Sequence, residues 1–292
     1  MKVKNIKLND NNTIPEIGFG VYMINDRDKC KQIVQEAIKL GYRHFDTAQY
    51  YKNERAVGDA IRESGIDRSE FFVTTKIWIS DYGYDKCKQA VEDSLKRLNI
   101  EYIDLVLLHQ RYNDYIGAWK ALEDAQKEGK IKSIGVSNFR IEELTDLLNN
   151  TSIVPVVNQI ECHPYYQRKE LKEFMDKNNI KTQAWFPLGH GDKKLLNEKI
   201  FTELGNKYNK TPAQVILKWH LECNHIVFPK SLNIDHIKEN IDLYDFELSK
   251  EDMEEIDKLN KERSYLPLPE FLNKAMYCNA EKIFLRKKED ID

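Results

Sequence analysis

Short apolar runs rich in β-branched and aromatic residues alternate with amphipathic helical patterns along most of this chain of 292 residues. The runs start roughly 25–30 residues apart, except for the last one, and several of the helical patterns end on Gly or Asn, which commonly terminate helices. This alternation predicts parallel strands joined by helices. The runs that predict strands occupy residues 17–22, 42–46, 71–76, 102–109, 131–137, 155–161, 181–187 and 225–229.

Eight strands with a helix after each predict an α/β fold of the (β/α)8 TIM-barrel type. Barrels of this kind routinely reach the length of the present chain as one domain, so residues 1–292 are expected to form a single domain. A doubly wound sheet with six or more strands is the main alternative. The number of strands favours the barrel.

Three segments depart from the repeat. Residues 3–17 predict a small hairpin that turns at Asp10–Asn12 and caps one end of the barrel. Residues 188–210 add a loop and an extra helix before the helix that begins at TPAQVILKWHL. Residues 264–292 form a C-terminal tail that contains two prolines, then a helical pattern, then a charged end.

The charge balance and the cysteines limit the classes of partner. The 45 basic and 48 acidic residues give a formal charge of −3, so the composition offers no support for nucleic-acid binding. No window approaches the roughly 18 apolar residues of a spanning helix, and MKVKNIKLND lacks the apolar core of a signal peptide. The five cysteines are scattered without a CxxC pair, which is typical of reduced thiols. We expect a cytoplasmic protein without membrane or nucleic-acid partners.

Ionisable side chains end three successive predicted strands. Asp46, Lys76 and His109 each follow an apolar run, and the tyrosines Tyr50 and Tyr51 follow the first of them closely. In TIM barrels the carboxyl ends of the strands carry the chemistry. A lysine ammonium beside a phenol lowers the pKa of the phenol, an aspartate can hold the lysine, and a neutral histidine can orient a carbonyl oxygen. The set predicts a proton-donor site that needs a cofactor for the other reactant, and either tyrosine could be the acid.

The later strand ends predict a cofactor cradle without the GxGxxG motif of a Rossmann fold. Ser137, Asn138 and Gln159 could hydrogen-bond a carboxamide, and Trp185 could stack on a nicotinamide ring. Lys230 and Ser231 follow the last predicted strand at the start of a helix, where backbone N–H groups attract anions.

The chain resembles the aldo-keto reductases from about residue 6 to residue 262. The segment GYRHFDTAQYYKNERAVGDAI fits the DTAxxYxNE signature of that family, in which the tyrosine five residues after the aspartate is the acid. The resemblance therefore implies Tyr51 as the proton donor and Tyr50 as a packing neighbour. The lysine of VTTKIW and the histidine of LVLLHQ match the remaining catalytic positions, so Asp46, Lys76 and His109 take the roles assigned above.

The resemblance also implies NADPH as the cofactor. It assigns the nicotinamide cradle to the residues named above, together with Phe186 and Leu188 of the following turn. The phosphate segment of the family reads close to PKSxxxxRIxEN, and here it keeps Lys230, Ser231, Glu239 and Asn240. His236 stands in place of the usual arginine, and an imidazole is a weaker phosphate partner than a guanidinium, so NADH is possible as well.

The expected substrate is a small carbonyl compound that is reduced to an alcohol. Tyr22, Trp78, His109 and Gln110 are expected to line the pocket. Bacterial relatives of the 2,5-diketo-gluconate reductase and glyoxal reductase type also have HQ at the catalytic histidine, and the tail supplies the specificity loop in relatives. Gln110 and the following Arg111 suggest a polar pocket. Relatives are commonly monomers, which is also the expectation here.

Other functions fit the sequence less well. His220, Cys223 and His225 could be imagined as metal ligands, but their spacing is irregular, and no metal site is assigned. Lys76 could form a Schiff base as in barrel aldolases, although that chemistry does not need Tyr51. A non-catalytic nicotinamide-binding regulatory module is the remaining alternative, and the four filled catalytic positions argue against it.

Overall fold

Eight parallel strands form a closed sheet at the centre of this computed structural model, which describes residues 3–267, 272, 274–275 and 277–278. An antiparallel hairpin, β1 (Asn5–Lys7) and β2 (Thr13–Pro15), precedes them. The sheet runs from β3 to β10 in chain order, with every neighbouring pair parallel. Its strands are β3 (Phe19–Gly20), β4 (His44–Asp46), β5 (Phe72–Ile77), β6 (Ile103–Leu108), β7 (Ile131–Ser137), β8 (Val157–Glu161), β9 (Lys181–Trp185) and β10 (Ile226–Val227).

The first and last strands meet and close the sheet into a barrel. Ile17 pairs with Val227 in a parallel bridge. The Gly18 amide donates to the Val227 carbonyl at 2.9 Å, and the Val227 amide donates to the Glu16 carbonyl at 2.9 Å. A Cβ at Gly18 would lie 2.7 Å from the Phe228 ring, so only glycine allows this approach. The predicted TIM barrel is confirmed. Each predicted strand is present: β7 matches its predicted range, β5 is shifted by one residue, and the other six are shorter than predicted.

Helices follow the barrel strands and cover the sheet. They are α1 (Arg27–Lys39), α2 (Glu54–Glu63), α3 (Tyr84–Leu98), α4 (Tyr115–Lys127), α5 (Ile141–Asn150), α6 (Lys169–Lys177), α7 (Lys193–Leu196), α8 (Lys199–Tyr208), α9 (Pro212–Glu222), α10 (Ile234–Ile241) and α11 (Lys250–Asp257). Local sequence determines where the helices begin and end. Helix α9, for example, begins with Pro212 after Thr211, whose side chain forms a capping box with Gln214. The predicted extra helix corresponds to two helices, α7 and α8.

Successive side chains of each strand point to opposite faces of the sheet, and the two faces belong to separate hydrophobic cores. Phe72, Leu105 and Leu107 pack inside the barrel, whereas Val73 and Val106 pack between the sheet and the helices. Because successive side chains point to opposite faces, a residue an even number of positions after Phe72 also faces inward. Because these strands run parallel, the last inward-facing residues of β4, β5 and β6 all lie at the same end of the barrel.

The hairpin closes the other end, as predicted. Ile14 of β2 and Leu8 of the turn are buried against Phe72 and Leu105 inside the barrel. The turn is closed by a hydrogen bond from the Leu8 amide to the Asn12 carbonyl at 2.9 Å. With this end plugged, the open end of the barrel is the one where the strands finish. Most of the predicted C-terminal tail, 264–292, lies outside the described residues.

Candidate active site

A cavity of about 780 Å³ opens at the carboxyl ends of the barrel strands. The site residues that the sequence predicts line this cavity, apart from Lys76, which lies directly behind it, and Arg111, which turns away from it. The lining residues predicted as such are Tyr22, Asp46, Tyr51, Trp78, His109, Gln110, Ser137, Asn138, Gln159, Trp185, Phe186, Leu188, Lys230, Ser231, His236, Glu239 and Asn240.

Lys76 joins the acid and the phenol at the floor of the cavity. Its Nζ donates to Asp46 Oδ1 at 2.6 Å, to the Thr47 carbonyl at 2.9 Å and to the Tyr51 hydroxyl at 3.3 Å. The side chain of Lys76 is fully buried on β5, and that of Asp46 is almost so at the end of β4. A buried ammonium that makes three hydrogen bonds has used all its donors and has no lone pair. Tyr50 makes no such contact with Lys76 but stacks on Trp78, with ring centroids 4.2 Å apart.

The backbone around Tyr51 is fixed by side chains of the same signature. Gln49–Tyr51 form a single turn of 3-10 helix, and Lys52 then takes a left-handed conformation with φ of 58°. Asn53 accepts from the Thr47 hydroxyl at 2.7 Å and donates to the Val21 carbonyl at 2.9 Å. These bonds clamp both sides of the turn, which aims the Tyr51 ring at Lys76.

Burial controls the protonation of the phenol. It raises the pKa of Tyr51 well above its usual value, and the Asp46 carboxylate raises it further. This direction is opposite to the one expected from Lys76 alone, because loss of water disfavours the phenolate more than the partly neutralised ammonium favours it. Burial also lowers the pKa of Lys76, while the adjacent Asp46 opposes that shift. Tyr51 therefore keeps its proton at neutral pH, as an acid requires.

His109 follows β6 and faces Tyr51 across the cavity floor, with ring centroids 5.7 Å apart. Burial lowers its pKa well below the usual value, and the nearby Lys76 charge lowers it further, so the imidazole is neutral. Its Nδ1 is buried without a hydrogen-bond partner in the described part of the chain. The other ring nitrogen, Nε2, is left to meet a substrate and can donate an N–H to a carbonyl oxygen.

Amide side chains connect this floor to the neighbouring cradle. Gln159 donates from Nε2 to Asp46 Oδ2 at 2.8 Å and to Gln183 Oε1 at 3.2 Å. Both hydrogens on Nε2 are then used, so the side-chain oxygen of Gln159, Oε1, is the atom available to accept a hydrogen bond from a ligand. Gln183 was missed in the sequence, although it is the inward residue two positions before Trp185.

Asn138 holds its neighbours in place. It has a left-handed backbone with φ of 63°, which asparagine tolerates. Its Nδ2 donates to the His109 carbonyl and to Ser137 Oγ, each at 3.1 Å, and its Oδ1 accepts from Trp185 Nε1 at 2.9 Å. Both amide hydrogens therefore stay within the protein. Asn138 consequently orients the Trp185 ring. It could contact a ligand directly only through the remaining lone pair on its Oδ1.

The phosphate-side residues lie at the start of α10. Asn233 caps this helix through a bond from the Asp235 amide at 2.8 Å, and Ser231 Oγ accepts from the Asn233 amide at 3.0 Å. Lys230 has no acidic partner within the described residues, and His236 is exposed on the first turn. An uncompensated cation beside a helix start is a fitting environment for a phosphate.

Aromatic rings surround the mouth of the cavity. Tyr22 lies 4.9 Å from Tyr51 between ring centroids, and Trp78 packs edge-on against His109 at 5.0 Å. Tyr277 of the tail packs against Trp78 at 5.9 Å. The rim is therefore more aromatic than the sequence suggested, with the amide of Gln110 as a polar element in its wall.

Arg111 does not line the cavity, contrary to expectation. Its Nη1 donates to the Asn138 carbonyl at 3.2 Å, and its Nε lies 3.7 Å from Glu143 of α5. The guanidinium thus points behind the cradle, because Arg111 lies beyond the end of β6 and these contacts set its direction. Its charge supports the Asn138 loop and makes no polar wall.

Sequence reasoning missed part of the lining, which comes from loops and from the ends of strands and helices. These residues share no chemical pattern, and they are Gly20, Met23, Tyr50, Pro187, His190, Gly191, Leu196, Asn197, Thr211, Pro212, Ala213, Phe228, Pro229, Leu266 and Tyr277. The irregular gap at 188–210 was the available signal for the loop after β9. Leu266 and Tyr277 belong to the predicted specificity tail.

The three residues that were considered and rejected as metal ligands, His220, Cys223 and His225, do not all come together. His220 and His225 contact each other, with their Nδ1 atoms 3.0 Å apart, but the cysteine whose sulfur approaches them is Cys162. Cys223 is the residue after α9 and is only partly buried.

The fold and the site together define a TIM barrel whose cavity brings a phenol, a lysine and an aspartate next to a set of amide side chains. Residues 16–261 match the family model described as the aldo/keto reductase family. The chain belongs to this family and is an oxidoreductase. No helix within the described residues is long and apolar enough to cross a membrane.

Several curated and solved proteins are similar to the chain over most of its length. It is 44% identical to the glyoxal reductase of Bacillus subtilis over 91% of this chain and 96% of that protein. It is 42% identical to the methylglyoxal reductase DkgA of Escherichia coli K12, with the same coverage. The crystal structure of a Bombyx mori aldo-keto reductase in complex with NADP superposes with a TM-score of 0.87 at 34% identity, covering 92% of this chain and 96% of that one.

Proposed function

We propose that this chain uses NADPH to reduce the carbonyl group of small dicarbonyl compounds, with Tyr51 as the proton donor. The observation that carries the proposal is the position of Lys76, whose Nζ contacts both Asp46 Oδ1 and the Tyr51 hydroxyl at the floor of the cavity. Membership of an oxidoreductase family supports the reaction class.

The side chains divide the work on the substrate. His109 Nε2–H binds the carbonyl oxygen and sets its position above the floor. Tyr51 then delivers its hydroxyl proton to that oxygen as negative charge develops there. Lys76, whose charge is held by Asp46, stabilises the phenolate that remains. The reaction also needs a hydride at the carbonyl carbon, which is the chemistry that a reduced nicotinamide supplies when bound.

The cradle fits a nicotinamide dinucleotide. Gln159 lines the cavity, and both hydrogens of its side-chain Nε2 are used elsewhere. Its side-chain oxygen, Oε1, can therefore accept a hydrogen bond from a carboxamide. Trp185, held through its Nε1 by Asn138, presents its ring face for stacking. Lys230 and Ser231 lie in the same cavity and supply a cation and a hydroxyl for phosphate groups. The cofactor that the Bombyx mori structure contains supports NADP rather than NAD.

His236 weakens the preference for the phosphorylated cofactor. It is exposed on the first turn of α10, where it can reach an adenosine 2′-phosphate, but it offers one N–H in place of the forked guanidinium. We therefore propose that NADH also serves, at lower efficiency.

Small dicarbonyls are the substrates that the pocket favours. The names of the Bacillus subtilis and Escherichia coli relatives support glyoxal-type compounds. Such a molecule has a second oxygen next to the reacting carbonyl, and the amide of Gln110 is in the wall beside His109 to bind it. The backbone of Gln110 is fixed on both sides by the Tyr82 hydroxyl, which accepts from its amide at 3.0 Å and donates to its carbonyl at 2.7 Å.

The hydrogen bonds of the Lys76 ammonium argue against a Schiff-base aldolase. Its Nζ donates three hydrogen bonds and therefore lacks the lone pair that attacks a carbonyl. Borohydride treatment with substrate present should leave no covalent adduct on the protein. A trapped adduct at Lys76 would replace the proposal with that mechanism.

The experiment follows NADPH absorbance with glyoxal, methylglyoxal and a hydrophobic aldehyde such as benzaldehyde. The proposal predicts the highest kcat/KM for the dicarbonyls. Tyr51→Phe removes the acid and should lower kcat by about 10²–10⁴-fold while NADPH still binds. Tyr50→Phe is the matched control: it keeps the acid and should retain turnover within a few-fold of the wild type. Equal losses in both variants would remove Tyr51 from the proposed role.

A further inference from the structure

Three soft donor groups converge outside the cavity. Cys162 follows β8, His220 lies on α9, and His225 precedes β10. All three are buried, and Cys162 Sγ and one ring nitrogen of each histidine lie within 4.8 Å of one another. The cluster combines a thiol with two imidazoles, which is a ligand set that soft transition-metal ions select.

The protons in this cluster can be assigned from its hydrogen bonds. His220 Nε2 lies 3.2 Å from the Pro187 carbonyl, which can only accept, so this nitrogen carries the proton. In a neutral ring the other nitrogen, Nδ1, then has a free lone pair. That lone pair faces His225 Nδ1 at 3.0 Å, which must then be the donor.

This assignment leaves one buried acceptor without a partner. With its proton on Nδ1, His225 has a lone pair on Nε2, and that atom is buried without a hydrogen bond within the described residues. Cys162 Sγ makes only a weak contact, to the Gln167 carbonyl at 3.9 Å. The cluster has more donor capacity than the protein uses.

We propose that Cys162, His220 and His225 form a binding site for a monovalent soft cation, namely Cu(I). One proton now lies between the two Nδ1 atoms, and a cation bonded to both nitrogens and to Cys162 Sγ would take its place. The His225 proton then moves to Nε2, and the thiol proton leaves to the solvent. Three ligands suffice for Cu(I), whereas structural zinc sites have four.

Charge selects the monovalent ion. A thiolate and Cu(I) together are neutral, whereas a thiolate and a divalent ion leave one net positive charge in a fully buried site. An unpaired buried charge is costly. A thiol binds a metal ion as its thiolate, so copper must displace the Cys162 proton, and binding should strengthen as pH rises.

The test is anaerobic titration of the whole chain with Cu(I), supplied as its acetonitrile complex, in competition with bicinchoninate. The wild type should withdraw a single tightly held equivalent of copper. Cys162→Ser should lose this equivalent, and Cys223→Ser should retain it, because the sulfur of Cys223 is not part of the cluster. Circular dichroism checks that both variants fold.

X-ray absorption at the copper edge tests the inference on the wild type alone, in case Cys162→Ser does not fold. The expected shell contains one sulfur and two nitrogen scatterers. A shell made only of sulfur would mean that copper binds to other cysteines, and it would overturn the proposal. Equal copper retention in Cys162→Ser and the wild type, or no tight equivalent in the wild type, would overturn it as well.

Discussion

Gln159 donates a hydrogen bond to Asp46 across the open end of the barrel, at 2.8 Å. Gln159 lies within β8 and Asp46 ends β4, four strands away in the sheet order, and both residues are buried. This bond ties the group that would hold a nicotinamide to the carboxylate that holds Lys76. The cofactor cradle and the proton-donor site are therefore one hydrogen-bonded unit.

Replacing Gln159 should consequently affect both halves of the site. Gln159→Leu leaves Asp46 Oδ2 and Gln183 Oε1 without a donor, which should cost about 1–3 kcal/mol of the free energy of unfolding. It should also raise the dissociation constant of NADPH, measured by quenching of protein fluorescence.

The adjacent residue supplies a control for this change. Asn158 points to the other face of β8, where its Nδ2 donates to the Phe139 carbonyl at 2.9 Å. Asn158→Leu should lose stability but leave the NADPH dissociation constant unchanged. If both variants weaken NADPH binding equally, the effect of Gln159 comes from general destabilisation of the strand.

Lys76 and Asp46 should be strongly coupled in stability. Lys76→Met leaves the Asp46 carboxylate buried without its cation and should cost about 3–5 kcal/mol of the free energy of unfolding. The double variant Lys76→Met/Asp46→Asn should lose less than the sum of the two single variants, by about 0.5–3 kcal/mol. Urea denaturation of the four proteins measures this difference, and strict additivity would contradict the direct pairing.

The pH profile should reflect the raised pKa of Tyr51. Reduction needs the protonated phenol, so its kcat should stay constant through neutral pH and fall only in the alkaline range. Oxidation of an alcohol needs the phenolate, so the reverse rate should rise with pH. Both profiles can be measured with one dicarbonyl and its product. A reductive kcat that already falls below neutral pH would show that the phenol loses its proton early.

His236→Arg should increase the discrimination between NADPH and NADH. The guanidinium adds a permanent charge and a forked donor at an exposed position, so we expect a gain of about three- to tenfold in kcat/KM for NADPH. NADH lacks the 2′-phosphate and serves as the internal control, since its kcat/KM should not change. An equal gain in kcat/KM for both cofactors would show that residue 236 does not act through the 2′-phosphate.

Much of the fold and the site follows from regular geometry. The alternation of strands and helices predicted the barrel, and the period of two along strands placed Asp46, Lys76 and His109 on one rim. Arg111 lies beyond the end of β6, where the period of two no longer applies, so its direction could not be predicted from this rule. The predicted features depend on local order, and local order can be read from a sequence.

Contacts between distant parts of the chain could not be predicted in this way. The pKa of Tyr51 depends on how completely the assembled barrel excludes water, and a single segment carries no record of that. The role of Asn138 depends on its left-handed backbone and on Trp185, which comes from another strand. Cys162 approaches the two histidines only in the folded chain, whereas Cys223, which is close to them in the sequence, is outside the cluster.

The closure of the barrel between Ile17 and Val227 has a consequence for synthesis of the chain. A ribosome makes Asp46, Tyr51, Lys76 and His109 well before it reaches Val227. A nascent chain halted before that residue holds every group of the proton-donor site, but its first strand has no partner to close against. The reaction centre is thus translated early and assembled late, when the final strand emerges from the exit tunnel.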